Sequence, residues 1–391
     1  MPMHALTEAQ AQEWRTKTAG LIQEARGRQQ ALHIQGHGSK AFYGQPMDPA
    51  LPILSTQDYA GVVAYDPSEL VVVARAGTAL TDLEAVLAER QQRLAFEPPR
   101  FHGRGTVGGM IATGLSGPGR LSAGPCKDYV LGLTVMNGDG ALMRFGGTVM
   151  KNVAGYDMSR LHTGAMGILG LILEVSLKVL PEPAARRTVQ IACPRAKSIA
   201  WADQWLSEPL PVSATAWVAD ADGNSSPSGH DQGSLVVRFA GAAAAVDAAV
   251  ERFEASYGAT CIGEHQASDF WSALRDQTHG FFSSSKEDPR RRLWRLSVPA
   301  ETPDLPMPGS CLLEWGGALR WLWTDASAAE VRSLASAVGG HASLYLGSAE
   351  DRTQEGCLAP LSPVLQGLHQ RIKAELDPHR LFNPGRLIGG L

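Results

Sequence analysis

The stretch that decides the fold is residues 103–119, GRGTVGGMIATGLSGPG. Its first six residues, Gly103-Arg104-Gly105-Thr106-Val107-Gly108, match the G-x-G-x-x-G pattern of a βαβ dinucleotide-binding unit. That pattern works only where a strand enters the first glycine and a helix opens at the last. The residues entering here are Glu97-Pro98-Pro99-Arg100, and two prolines without an N–H cannot sit in a central strand. Asp128 lies about where such folds keep a ribose-binding acid, but it precedes a strand instead of ending one. The nicotinamide reading therefore fails, and the glycines need another explanation.

Working outward, residues 101–170 hold 17 of the 42 glycines, a density that indicates loops wrapped around something large. No acid occurs between Glu97 and Asp128, whereas Arg100, His102, Arg104, Arg120 and Lys127 do. Glycine-loop N–H groups with a local excess of positive charge suit an anion such as a diphosphate. Three more segments are built alike. They are Gly36-His37-Gly38-Ser39 before Lys40, residues 151–157 (KNVAGYD), and residues 164–170 (GAMGILG). Four such segments imply one long ligand gripped at several places.

The rest of the chain bounds the possibilities. Its 391 residues suffice for two domains, and 44% apolar with 19% charged residues excludes global disorder. A formal charge of −4 leaves no global bias toward nucleic acid or anionic lipid. The opening residues MPMHALTEAQAQEWRTKTAG lack the apolar region of a secretory signal, and the uncharged, glycine-rich run 105–119 is too short to span a bilayer. The expected location is the cytoplasm, with any contact at the inner membrane made through a complex. Five scattered cysteines without a C-x-x-C pair point away from an iron–sulfur cluster, and no metal site is expected.

Pattern predicts a buried strand over 70–75 (LVVVAR), and a helix over 80–87 with Thr81 and Glu84 as a capping box. It also predicts a hairpin of 131–137 with 141–145 across Gly138-Asp139-Gly140, and a strand over 168–180. Beyond Pro181 the dense glycines stop. Strands are expected at 235–239, 293–298, 311–315 and 318–323, with helices over 242–257 and 325–338. A helix over 364–376 is expected to lead into a docked tail, LFNPGRL. Domain boundaries are expected at 1–183, 184–348 and 349–391.

The order of these segments resembles the FAD-binding domain of the p-cresol methylhydroxylase/vanillyl-alcohol oxidase (PCMH/VAO) class, and within it the FAD-binding subunits of bacterial glycolate oxidase. The residues carrying the resemblance include Gly36 to Ser39 with Lys40 and Phe42, Glu97-Pro98-Pro99, Gly108-Gly109-Met110, Phe145-Gly146-Gly147, and residues 149–157. Leu177 to Pro181, WGGALRWL at 315–322 and the stretch 376–386 complete the set. The likeness runs from about residue 20 to 389. It implies an α+β fold with a PCMH/VAO-type FAD-binding domain of two α+β subdomains, plus a smaller α+β cap domain with an antiparallel sheet.

By the same resemblance Gly36, His37, Gly38 and Ser39, and then Thr106, Val107, Gly108 and Gly109, hold the FAD diphosphate through backbone N–H groups. Met110, Thr113, Gly114 and Gly117 line the flavin. Gly167, Gly170, Leu171 and Ile172 face the adenosine, and Asn383 brings the tail to the ring. His37 either donates to a phosphate oxygen or faces solvent, and Asp157 either meets the flavin or bonds its own backbone. Some class members attach flavin through a histidine where Ser39 stands, so non-covalent FAD is expected.

The metal-binding H-x-G-D-x-x-x-H motif of related 2-hydroxyacid dehydrogenases is absent. The one catalytic candidate is Arg320, either a clamp for a substrate carboxylate or a structural arginine packed among Trp315, Trp321 and Trp323. The implied role is a flavoprotein subunit in glycolate oxidation to glyoxylate, with a sister FAD subunit (D type) and an iron–sulfur subunit (F type) passing electrons toward quinone. Two rivals remain open: an assembly subunit whose FAD never cycles, and a stand-alone flavin hydroxyacid oxidase.

Overall fold

A computed structural model describes residues 5–148, 157–219, 232–286, 290–389 and 391. Most of the segment 149–157, named above, lies outside the described residues; only Asp157 falls within them. The chain forms two compact units. One comprises Met1–Ser116, Pro125–Glu182 and Pro360–Leu391, and the other Gly117–Gly124 and Pro183–Ala359.

The first unit is built on a five-stranded antiparallel sheet in the order Val62–Asp66, Val71–Arg75, Leu171–Lys178, Val130–Met136 and Leu142–Gly146. The inner strands are largely buried, whereas the two edge strands are mostly exposed or half-buried, as expected where an edge meets water. The hairpin forms as expected. Asn137 Oδ1 accepts the N–H groups of Asp139 and Ala141, and Gly140 supplies a φ of +78°. The strand expected over 168–180 starts only at Leu171, because Gly167 (φ +74°) and Gly170 (φ +147°) turn the chain first.

The helix expected over 80–87 runs Leu80–Ala88, without its capping box. Its Leu80 N–H donates to Gly105 O at 2.9 Å, and Glu84 instead pairs with Arg100 at 2.5 Å. A long helix, Glu8–Gly27, opens on a Thr7–Gln10 capping box and packs Ala11, Ile22 and Ala25 in a core that includes Leu171 and Leu173.

A short parallel pair, His33–Gln35 with Ile53–Ser55, lies apart from that sheet. The tail joins it: Leu32 N–H donates to Leu381 O (2.7 Å) and Asn383 N–H to Leu32 O (3.0 Å). The helix Pro363–Leu376 precedes this docking.

The second unit is an eight-stranded sheet whose described pairings are all antiparallel. Its core gathers Trp205, Trp217, Trp294, Phe239 and Phe253. The hydrophobic pattern located the strands Gly233–Gly241, Arg292–Ser297, Ser310–Glu314 and Leu319–Thr324, and the helices Ala243–Tyr257 and Ala328–Ser336. It passed over the strands Ala185–Ala192, Val212–Ala219 and His341–Leu346. Among the described residues no helix is long and apolar enough to cross a membrane.

Candidate functional site

A cavity opens in the first unit where the loop after His33–Gln35 meets the helix Val107–Thr113, the turn before Leu171–Lys178 and the tail. Counted with the open solvent at its mouth, the empty space there is about 830 Å³. Gly36, His37, Gly38 and Ser39 line it, as do Thr106, Gly108, Gly109 and Thr113, then Gly167, Gly170, Ile172 and Asn383. One cavity thus collects residues from across the chain.

Five expected residues lie outside the lining. Val107, Met110 and Leu171 are buried apolar side chains, and each belongs to the core. Gly114 is the C-cap of the short helix at φ +62°, where an added Cβ would meet Gly164 backbone at 3.3 Å. Gly117 falls in the second unit, where its carbonyl accepts from Trp315 Nε1 at 3.0 Å.

The backbone donors correct the expected division of labour. The 106–109 segment has little to offer an anion. Val107 N–H donates to Thr78 O (2.9 Å), Gly108 N–H to Ala76 O (2.8 Å), and Gly109 N–H to Thr106 Oγ1 (3.2 Å). Gly108 serves the fold as well as the cavity, because a Cβ there would lie 2.7 Å from Ala76 Cβ. At Gly109 an added Cβ would meet only Thr106 Oγ1 (3.1 Å) and Lys40 Nζ (3.4 Å), so this glycine leaves open cavity wall. In the first loop the N–H groups of His37, Gly38, Ser39 and Lys40 have no partner among the described residues. Four successive donors without a protein acceptor, on residues that line the cavity, are available to an anion.

The charges also differ from expectation. Of the cations between Glu97 and Asp128, Arg100 is held by Glu84 and Arg120 lies 4.4 Å over the Trp315 ring in the second unit. Arg104 reaches the site only through His37, donating to its carbonyl at 3.1 Å, while His37 Nδ1 sits 3.2 Å from Arg104 O. His37 thus lines the cavity with one ring nitrogen directed at backbone. The long-chain cations that do line the cavity are Lys40 and Arg386, with no Asp or Glu in the lining. Burial pushes the Lys40 ammonium down to about 8. Burial, then the Arg386 charge, lowers the His33 imidazole.

Arg386 and Asn383 hold the wall together. Arg386 donates from Nη1 to Gln45 O (2.5 Å) and from Nη2 to Lys40 O (3.0 Å) and Ala41 O (3.1 Å), fixing the first loop. Asn383 accepts Ile34 N–H (2.7 Å) and donates to Met166 O (2.8 Å), so both ends of its amide bind backbone. Asp157 caps the helix Met158–His162 by accepting Arg160 N–H at 3.0 Å, the internal one of its two readings. Sequence reasoning left Lys40 and Arg386 out of the site; Lys40 was visible as the residue following the first glycine loop.

Arg320 takes the structural one of its two readings, though without the tryptophan packing expected for it. It is fully buried in the second unit and donates to Gly317 O (2.9 Å) and Thr302 O (2.6 Å). That burial leaves no room for a substrate carboxylate. The tryptophans take other cations: Arg295 lies 5.3 Å from the Trp315 ring and 5.9 Å from Trp321.

Comparison with known proteins bears on what the cavity holds. A family model described as "FAD binding domain" matches residues 16–146, which contain the first loop and the 106–113 wall. Over 360 residues the chain is 40% identical to the glycolate oxidase subunit GlcE of Escherichia coli, covering 92% of this chain and 93% of that protein. The chain belongs to the GlcE family. As in that flavoprotein family, its cofactor is FAD, and the cavity fits it: it is glycine-walled, free of acids in its lining, and edged by open N–H donors.

A shorter stretch is shared more widely. The glycolate oxidase subunit GlcD of Bacillus subtilis is 33% identical over 129 residues, 33% of this chain and 27% of that one. The fold alone is shared with a 4-ethylphenol oxidase from Gulosibacter chungangensis, at TM-score 0.67 and 13% identity over 96% of this chain and 87% of that one. That likeness agrees with the PCMH/VAO architecture expected from the sequence.

Proposed function

We propose that this GlcE-family chain is the FAD-binding E-type subunit of a complex that oxidises glycolate to glyoxylate. The observation carrying this reading is the 40% identity that runs through both units, joined to an acid-free glycine cavity in the first. When bound, FAD supplies an acceptor for the hydride lost from glycolate and releases electrons singly. The chain's own residues bind and orient. The first loop offers its N–H groups to the diphosphate, Arg386 keeps that loop in place, and Asn383 closes the wall. Ser39 stands where other class members place an attaching histidine, so FAD is held without a covalent bond. A D-type sister flavoprotein contributes the fuller substrate site. An F-type iron–sulfur subunit takes the electrons toward quinone, and attachment at the inner membrane runs through that complex.

Two measurements test this. Acid precipitation is expected to leave the yellow colour in the supernatant; colour retained in the pellet refutes the non-covalent assignment. Anaerobic glycolate is expected to bleach this chain's flavin only when the partner subunits are present. Bleaching of the isolated chain means a stand-alone oxidase. The burial of Arg320 favours a second reading, an assembly subunit whose FAD stays oxidised, and no bleaching in the full complex would establish it.

A further inference from the structure

Among the described residues lining the cavity, Lys40 is the cation whose protons the protein leaves largely unused. Its Nζ lies 3.4 Å from Ser39 Oγ and 5.2 Å from the centre of the Phe101 ring. Among the described residues no carboxylate lies within salt-bridge distance of it. The groups around it add positive charge or none. Arg386 donates to the Lys40 carbonyl, and His37 and His33 share the cavity wall. From the facing segment come the Phe101 ring, with exposed His102 beside it, and Arg104, which is bonded to His37. The facing helix presents Gly109, whose missing side chain leaves the approach to Nζ open.

A half-buried ammonium with no counter-charge is costly unless a ligand brings one. Four open N–H groups beside it, on residues 37–40, face the same shortage of acceptors.

We propose that Lys40 is the counter-charge for the FAD diphosphate, and that FAD binding is therefore coupled to protonation of Lys40. This rests on the FAD reading above and adds the ion pair and its proton linkage. In the free protein burial holds the Lys40 ammonium near 8. A diphosphate against it raises that value again, because an opposite charge favours the protonated form. Below pH 8 both states carry the proton, and affinity is flat. Above pH 8 the free protein has lost it, so FAD must bind together with a proton and affinity falls about tenfold per pH unit.

The test titrates the full-length apoprotein with FAD from pH 6.5 to 9.5, following flavin fluorescence, with calorimetry in two buffers of different ionisation enthalpy to count protons. Wild type is expected to take up close to one proton at pH 9 and none at pH 7. Lys40→Met is expected to bind FAD at least tenfold more weakly at pH 7, with a flat pH profile and no proton uptake. Lys40→Arg, whose guanidinium does not titrate in this range, is expected to keep affinity near that of wild type at pH 7 and lose the slope.

ADP, which carries the diphosphate without a flavin, is used as a competitor, and Lys40→Met is expected to weaken it by the same factor as FAD. A Lys40→Met profile that superimposes on wild type overturns the proposal. So does a loss confined to FAD while ADP competes equally with both proteins, because Lys40 would then serve the flavin ring. Wild-type apoprotein that takes up no FAD at any pH instead brings down the cofactor site itself.

Discussion

Two lysines of the first unit, Lys40 and Lys373, are withdrawn from water, and their surroundings are opposite. Lys373 is 1% exposed and fully partnered. Its Nζ donates to Asp377 Oδ2 (2.6 Å), Ile168 O (2.5 Å) and Phe382 O (3.0 Å). Asp377 in turn accepts the N–H groups of Leu381 (3.0 Å) and Phe382 (2.9 Å). All three ammonium protons in that knot are taken, two by Asp377 and Phe382 of the tail itself and one by Ile168 in the body of the unit. Lys40 has a serine hydroxyl and a ring face. A cation that holds a fold together is saturated by the fold, whereas a cation kept for a ligand is left short of acceptors. That difference separates architecture from function within one unit.

The sharpest way to break this comparison is to remove one anion. Asp377→Ala strands Lys373 as a buried unpaired charge and is expected to cost about 3–5 kcal/mol in urea unfolding. Lys40→Met is expected to leave the FAD-free protein as stable as wild type or more so, since it removes an uncompensated charge. Equal losses in the two variants would erase the distinction.

The two adjacent glycines of the cavity wall give the next largest contrast. Gly108→Ala places its Cβ 2.7 Å from Ala76 Cβ and 3.1 Å from Ala76 O, and is expected to destabilise by roughly 1–3 kcal/mol. Gly109→Ala projects between Thr106 Oγ1 and Lys40 Nζ, and is expected to lower FAD affinity with little change in melting temperature. Paired melting curves and FAD titrations check this; a fall in stability for Gly109→Ala would put that glycine on the structural side.

Proton linkage sharpens the comparison further. The Lys40 ammonium titrates near 8 in the folded FAD-free protein and higher in the unfolded chain. Between those values the unfolded state holds more protons, so this group makes stability rise with pH. Subtracting the stability of Lys40→Met from that of wild type, without FAD, is expected to give a difference that climbs above pH 8 and is level below it. Saturating FAD is expected to abolish the climb.

The smallest expected effect concerns His162, buried against the Phe145 ring, its imidazole pushed down to about 4 by burial. The unfolded chain takes up this proton first as pH falls, so stability is lost between the ordinary histidine range and pH 4. His162→Phe is expected to flatten that part of the acid limb, measured by thermal melts from pH 7 to 4.

Much of the first unit was legible because local signals and tertiary packing agree there. The β-branched run at Val71–Arg75, the turn chemistry of Asn137 to Gly140 and the glycines at 167 and 170 each have one good structural solution. The strands Ala185–Ala192 and Val212–Ala219 were not legible. The first carries Arg186, Arg187 and Gln190 along its length, and the second follows Pro209 and Pro211, so neither shows a clean alternation of apolar and polar residues between turn signals.

Within the site, glycine spacing located the walls but not the donors. Whether the N–H groups of 107 and 108 are open depends on Thr78 and Ala76, about thirty residues away, and no local pattern reports such contacts. The acid-free, cation-bearing run at residues 98–127 misled for the same reason: Arg100 and Arg120 are committed to Glu84 and Trp315. Arg320 kept two readings in the sequence because its burial arises from the packing of a whole sheet.

The grip of Arg386 on the loop carrying Lys40 and Gln45 spans 341 residues of chain. A ribosome-bound precursor lacking this tail has the glycine loop but not the clasp that shapes it. The residue that fastens this loop is therefore made only after the whole second unit, so the wall of the cavity is completed by the two far-separated segments together.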